Sequence, residues 1–394
     1  MRLFEGLKSS FTYAAAARRA AASGRRVIDL TVGEPPEAPP ESLLEALASL
    51  GGVNHHKYSP SRGVEELRRA IVELERERLG VDLEPGDVVV TPGSKAALVL
   101  SLLVSCRPGS RVLVFDPYFY AYINQASVLG VGVDTVAYRV DGGVYRVDLE
   151  KYADAVSTGR YCAVIVNTPG NPTGAVLTGE EMEFIVEEAA RRGTVVVSDE
   201  VYADFVYTGV HRSLLHYGYE GGIYVNSFSK TLFITGWRIG YLVAGERRVA
   251  EAAARLAANL YTCAPTPLQS AVARALPEAY REARKVIETS YKARAETLNE
   301  AMSAVPGVTM PRVHGGMFGF PLLSEELAAA VGGSEAYASR LLEEKGVAVI
   351  PGTIFSDKYS LQGFRISIAA GLDELRRAAR LISELNEELL EWRR

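Results

Sequence analysis

Residues 224–244, YVNSFSKTLFITGWRIGYLVA, set two apolar, strand-like runs on either side of a polar knot. Lys230 stands in the knot with Ser227 and Ser229, and Arg238 follows eight residues after the lysine. The gap at 229–238 is too short for a right-handed crossover carrying a proper helix, so the two strands are expected to be antiparallel neighbours. Upstream, Val/Ile-rich runs recur at 87–91 (DVVVT), 111–115 (RVLVF), 133–138 (VDTVAY), 161–166 (YCAVIV) and 194–199 (TVVVSD); runs at 223–228 and 239–243 make seven. Helical segments such as 94–105 and 180–192 separate most of them. Continuous apolar strands alternating with helices predict an α/β protein with a mostly parallel seven-stranded sheet covered on both faces.

The flanks extend this reading. YAAAARRAAAS has high helix propensity and ends at Gly24, so an ordered N-terminal helix is preferred over a transit peptide, although only Glu5 breaks the basic character of the first residues. Helices are expected at 41–50 and 63–79, the second with apolar residues at 64, 67, 71, 74 and 79. Long helices follow over 247–303, interrupted by the prolines of CAPTPLQS, and a smaller α+β unit closes the chain. The 394 residues are long for one core. The expected division is an arm and part of a small domain at 1–45, a large ligand-binding domain at 46–285 and the small C-terminal domain at 286–394.

The formal charge of −5 gives no basic bias toward nucleic acid, and no apolar stretch reaches the ~20 residues of a membrane span. Cys106, Cys162 and Cys263 lie far apart without CxxC spacing. They read as small buried hydrophobes of a reducing, cytoplasmic compartment rather than as metal ligands or a disulfide. GVGVD at 130–134 lacks the third glycine of a dinucleotide loop, and GxxxxGK[ST], HExxH and GxSxG are missing. Neither a nicotinamide-dependent dehydrogenase nor a metal site is therefore expected.

Ligands of open parallel sheets bind at the carboxyl ends of the strands. Those ends carry TPGSK (91–95), DPYFYAY (116–122), NTPGNPTG (167–174), SDEVY (198–202) and SFSK (227–230). Each has an ordinary reading: a strand–helix turn at 91–95 with Lys95 on the surface, a turn-forming Asn171, capping carboxylates at Asp199 and Glu200, a core-packed Tyr202. Together they place an acid, an amide, a tyrosine and a lysine at one sheet edge. A Lys230 amine buried in that cleft loses pKa from ~10.4 and attacks carbonyls to form a Schiff base. A buried Arg238 must meet an anion. One ligand satisfies the set: a phosphate for Arg238, the serines and the helix at 94, a carbonyl for Lys230, a ring cation for Asp199 and a ring oxygen for Asn171 and Tyr202. That is pyridoxal phosphate.

From LTVGEPP at 30 to FRISIA at 364, with NTPGNPTG, SDEVY, SFSKTLFITGWRIG and FRIS in order, the chain resembles the fold-type I pyridoxal-phosphate aminotransferases of class I/II, the group of aspartate and aromatic aminotransferases. The resemblance implies that Lys230 forms the Schiff base and shuttles the proton, and that Asp199 partners the pyridine nitrogen. Asn171 and Tyr202 would donate to the phenolic oxygen. Gly93, Ser94, Lys95, Ser227 and Arg238 would hold the phosphate, and Phe119 would stack on the ring. Arg365 and Gly33 would grip the substrate α-carboxylate. Tyr58, in KYSPSRG, would reach the phosphate of a neighbouring subunit, which implies a homodimer with shared sites. Ser229 receives no firm role. Lys95 is equally a candidate for a distal substrate carboxylate, and GGMF at 315–318 suggests room for large side chains. The expected reaction is transamination between an L-amino acid and a 2-oxo acid, 2-oxoglutarate by preference. A β-lyase on the same scaffold is the rival; a regulatory protein would need an added DNA-binding module, for which the chain has no room.

Overall fold

Seven strands form one sheet, the inner ones apolar on both faces and buried, the edge strand β3 buried only at Val136: β1 (Val88–Thr91), β2 (Arg111–Asp116), β3 (Gly132–Ala137), β4 (Tyr161–Asn167), β5 (Val195–Asp199), β6 (Gly222–Ser227) and β7 (Gly240–Ala244). The computed structural model describes residues 7–391, so Glu5 and the first residues of the arm lie outside it. The spatial order is β1-β7-β6-β5-β4-β2-β3. β2 pairs in parallel with β3 and β4, and β4, β5 and β6 continue in parallel. β7 runs antiparallel to both β6 and β1, as the short 229–238 gap requires.

The N-terminal helix runs Phe11–Ala22 and Gly24 follows at φ +87°. Thr178 opens the Gly179–Ala190 helix with a capping box to Glu181, which fixes where β4's crossover turns back. Pro267 sits in the first turn of the Thr266–Val286 helix, where its missing N–H costs no bond. That helix continues through a five-residue π-turn, Ile287–Tyr291, into Lys292–Ser303, so the 285/286 division falls within a continuous helical rod. The remaining chain builds small sheets: Phe318–Gly319, Phe364–Ser367 and Ile350–Pro351 form three antiparallel strands. Ile28–Asp29 pairs in parallel with Val347–Ala348, so the N-terminal segment joins the C-terminal unit. Among the described residues no helix is long and apolar enough to cross a membrane.

The reading of the cysteines is corrected. Cys106 and Cys162 form a disulfide, with Cα atoms 5.3 Å apart, and none of the three cysteines is fully buried. Their 56-residue separation hid the pair. Packing of helix Ser94–Ser105 against the sheet brings the end of the helix to the start of β4, which no local spacing announces. The compartment argument built on unpaired cysteines loses its footing with it. Closing a loop of this length is expected to contribute about 4 kcal/mol through the unfolded state. Cys106→Ser/Cys162→Ser should therefore lower the denaturant midpoint by that stability, and reductant should do the same to the parent. Activity at room temperature should hold, because the bridge lies at the edge of the sheet opposite the carboxyl ends. Denaturant titration with and without reductant checks this; equal midpoints would refute it.

Candidate active site

Strand register gathers the chemical groups at one edge of the sheet. Asn167 lies opposite Asp199 and Asp199 opposite Val225, while Gly240 lies between Thr91 and Ser227. The loops leaving β1, β2, β4, β5 and β6 therefore open into one cleft.

Lys230 sits in a single helical turn, Phe228–Thr231, just past β6. Ser227 caps that turn: its Oγ accepts the Ser229 N–H at 3.1 Å. Lys230 is half-buried, and its amine donates to Gly33 O at 2.6 Å. Burial lowers its pKa to about 8; the charges of Arg365, Arg238 and Lys95 push the same way, and Glu34 opposes them.

An anion cup forms beside it. Gly93 takes φ +79° and opens helix Ser94–Ser105; any side chain there would run into the Arg238 guanidinium. A Cβ on Gly240 would fall 2.7 Å from Gly93 C and Ser94 N, so both glycines are needed for β7 to approach the helix start. Arg238 is held at φ +57°, a strained conformation for a non-glycine residue. Its guanidinium donates to Thr235 O at 2.7 Å and reaches Ser229 Oγ at 3.5 Å, while Ser227 Oγ donates to Ser229 Oγ at 2.9 Å. Ser229 thus joins the cup. The expectation that Arg238 is buried is corrected: its flanks are, but the left-handed turn at 238 swings it outward and leaves it exposed at the cup's rim.

Asp199 is 3% exposed and accepts the Tyr122 hydroxyl at 2.7 Å. Burial raises its carboxyl to about 6 against the pull of the Tyr122 bond. Tyr122 escaped the sequence reading; its only signal was a fourth aromatic in DPYFYAY, packed edge-on at 5.6 Å from Phe119. Asn167 was missed too. Its amide donates to Asp199 O at 2.8 Å and accepts the Asn171 N–H at 2.7 Å, which sets the loop that carries Asn171. Tyr202 and Asn171 are both buried, Asn171 Oδ1 accepts from Arg365 at 3.3 Å, and burial pushes the Tyr202 phenol up.

Arg365 enters from the Phe364–Ser367 strand. It donates to Thr31 O at 2.8 Å and to Asn171 Oδ1 at 3.3 Å, and it lies over the rings of Phe318 and Phe355 at 4.1 and 4.8 Å. Its Nε is buried without a partner, and burial lowers its pKa to about 10. Gly33 packs under this group, where a Cβ would come 3.3 Å from Phe318 Cζ. Lys95 is exposed, with Nζ 5.5 Å from the Phe119 ring and 5.8 Å from Tyr120. Tyr58 is 87% exposed and makes no hydrogen bond among the described residues, so the chain by itself does not bring it into the cluster.

The donor set fits pyridoxal phosphate. A helix N-terminus framed by two glycines, two serines and a guanidinium suits a phosphate. A buried carboxylate with only neutral donors, the Tyr122 hydroxyl and the Val201 N–H, lacks a cation, and a buried guanidinium has a free N–H for a carboxylate.

Comparison with known proteins agrees. The family described as aminotransferase class I and II matches residues 25–382. An aspartate aminotransferase of Sulfolobus acidocaldarius is 31% identical over 93% of this chain and 92% of its own, and one of Thermotoga maritima is 34% identical over 90% of each. The solved aspartate aminotransferase of Thermus thermophilus with maleate superposes with a TM-score of 0.89 at 30% identity, covering 98% of this chain and 99% of that one. The chain belongs to the class I and II aminotransferases, pyridoxal 5'-phosphate enzymes that transfer an amino group between an amino acid and a 2-oxo acid.

Proposed function

We propose that this enzyme transaminates an acidic amino acid, aspartate first, with 2-oxoglutarate as acceptor, in two half-reactions that share one site. The observation that carries the reading is the cleft in which the Lys230 amine, the Asp199–Tyr122 pair and the unpartnered Nε of Arg365 converge. When bound, the cofactor supplies an aldehyde for amines to condense with and a ring that takes up the electrons of the Cα–H bond. The rest falls to the chain. Lys230 would hold the aldehyde carbon through its amine, and the same amine is placed to carry the proton from Cα. Asp199 keeps a proton on the ring nitrogen. Asn171 and Tyr202 hold the ring oxygen, and Phe119 covers the ring face. Gly93, Ser94, Ser227 and Arg238 hold the phosphate. Arg365 turns its free Nε–H to the α-carboxylate, with Gly33 beneath it.

Lys95 stands at the mouth over Phe119 and Tyr120, where a distal carboxylate of the substrate would meet a cation. The exposure of Tyr58 suits a side chain that completes the site of a second copy, so the working unit is a homodimer. The names of the relatives favour transfer over elimination. Single-turnover conversion of the loaded enzyme by aspartate, glutamate, alanine, phenylalanine and 2-aminoadipate tests the reading. Aspartate should react fastest, and Lys95→Ala should lower kcat/KM for aspartate by about 10–100-fold while sparing alanine, since it removes one charge pair. Equal losses for both substrates would refute the role of Lys95. Pyruvate and ammonia formed from cysteine, whose β-thiol can leave as sulfide, with no acceptor present and no transfer from the panel would refute transamination.

A further inference from the structure

The cleft is backed by a buried ionic cluster that the reaction does not use. Asp204, 4% exposed, accepts the Thr231 hydroxyl and the Tyr280 hydroxyl at 2.7 Å each. Arg78 Nε lies 3.2 Å from the same carboxylate, and Arg284 3.6 Å away also donates to the Asp204 carbonyl at 3.0 Å. Arg78 in turn holds fully buried Glu75 at 2.8 Å, and Glu75 accepts the hydroxyls of Tyr224, at 2.8 Å, and Tyr241. Burying these charges is costly unless every one is paired, and here each is.

Thr231 is the residue after Lys230. In a helical turn adjacent side chains point about 100° apart, so one can face the cleft while the next faces the core. Four residues are too few to stabilise themselves as a helix, because forming the first turn is unfavourable. Besides the buried Phe228 ring and the Phe228 N–H bond to Ile239 O at 3.1 Å, the turn is oriented by two side-chain tethers: Ser227 at its start and Thr231 at its end. Asp204 lies two residues beyond Tyr202, so one rigid carboxylate ties the segment after β5 to the segment after β6.

We propose that Asp204 is a positioning residue, which aims the Lys230 amine into the cleft through its hydrogen bond to Thr231 Oγ1. The inference rests on the reading that Lys230 binds pyridoxal phosphate. Asp204 is itself suited to the task. Burial would raise its carboxyl, but the Arg78 charge, the Tyr280 and Thr231 hydroxyls and Arg284 outweigh burial and hold it below its ordinary value, so it stays a charged acceptor.

The test follows capture of pyridoxal phosphate by cofactor-free protein, with borohydride trapping and mass spectrometry at Lys230. Thr231→Val keeps the shape and removes the hydroxyl; it should slow capture at least about tenfold, the weight of a hydrogen bond to a charged group. Thr231→Ser, which keeps the hydroxyl, should restore the parental rate. In the loaded enzyme Thr231→Val should lower kcat and leave KM for the amino acid unchanged. Asp204→Asn should follow Thr231→Val, and if it fails to fold, the two Thr231 variants decide alone. Capture by Thr231→Val slowed less than tenfold, or Thr231→Ser as slow as Thr231→Val, overturns the proposal whatever happens to thermal stability. Absence of trapping at Lys230 in the parent would instead overturn the reading beneath it.

Discussion

Lys230→Ala protein is expected to show no covalent adduct with pyridoxal phosphate after borohydride, and to lose transamination by about 10⁴-fold or more, because one side chain is both nucleophile and proton carrier. The cofactor should still bind, since the cup of Gly93, Ser94, Ser227, Ser229 and Arg238 does not involve the amine. Retained binding with lost adduct separates a missing nucleophile from a collapsed site. The parent carries a pH signature of its own. Its amine titrates at about 8, lowered first by burial, so the reactive free base is a minority below that pH. Capture should therefore slow about tenfold per unit as pH falls below 8 and level off above it. Added methylamine, which can enter the space left by the alanine, should return part of the lost turnover. Full activity in Lys230→Ala, or an adduct formed at Lys95 instead, would remove Lys230 from the mechanism.

The sheet was legible because its inner strands are apolar on both faces. Each of the seven runs stands out from its surroundings, and the brevity of 229–238 gave away the antiparallel β7. Asp199, Asn171, Tyr202 and Lys230 were legible for the same reason: each follows an apolar run where a buried strand would otherwise end in plain turn residues. Groups set by tertiary geometry were not. Tyr122 meets Asp199 across 77 residues, and the Cys106–Cys162 bridge depends on helix-to-sheet packing. Arg238 reads as buried from its neighbours, yet one left-handed residue reverses its exposure. Ser229 looked like a bystander until the helical turn placed its hydroxyl between Ser227 and Arg238. Asp204 in ADF offers no periodicity or motif at all; only the packing of Thr231, Tyr280 and Arg78 around it shows what it does.

Asp199→Ala is expected to separate binding from chemistry. The variant should still form the Lys230 adduct, because the amine and the phosphate cup are untouched, yet transamination should fall by about 10²–10³-fold, as when one preorganised electrostatic partner is removed from a buried site. The carboxylate owes its strength to where it sits. At 3% exposure with Tyr122 as its side-chain donor, it is poorly solvated, and a protonated ring nitrogen is the cation that would complete it. Its carboxyl titrates at about 6 without that cation, raised first by burial, so above that pH it is charged and waiting. Once paired with a ring cation it should titrate lower, because an opposite charge favours the ionised form. Tyr122→Phe should then act in the same direction with a smaller loss, about tenfold, since it strips one hydrogen bond from a charged acceptor. Single-turnover rates with aspartate, set beside the yield of borohydride-trapped Lys230, distinguish the cases. Equal losses in trapping and in turnover would mean that Asp199 holds the cofactor and does not tune it.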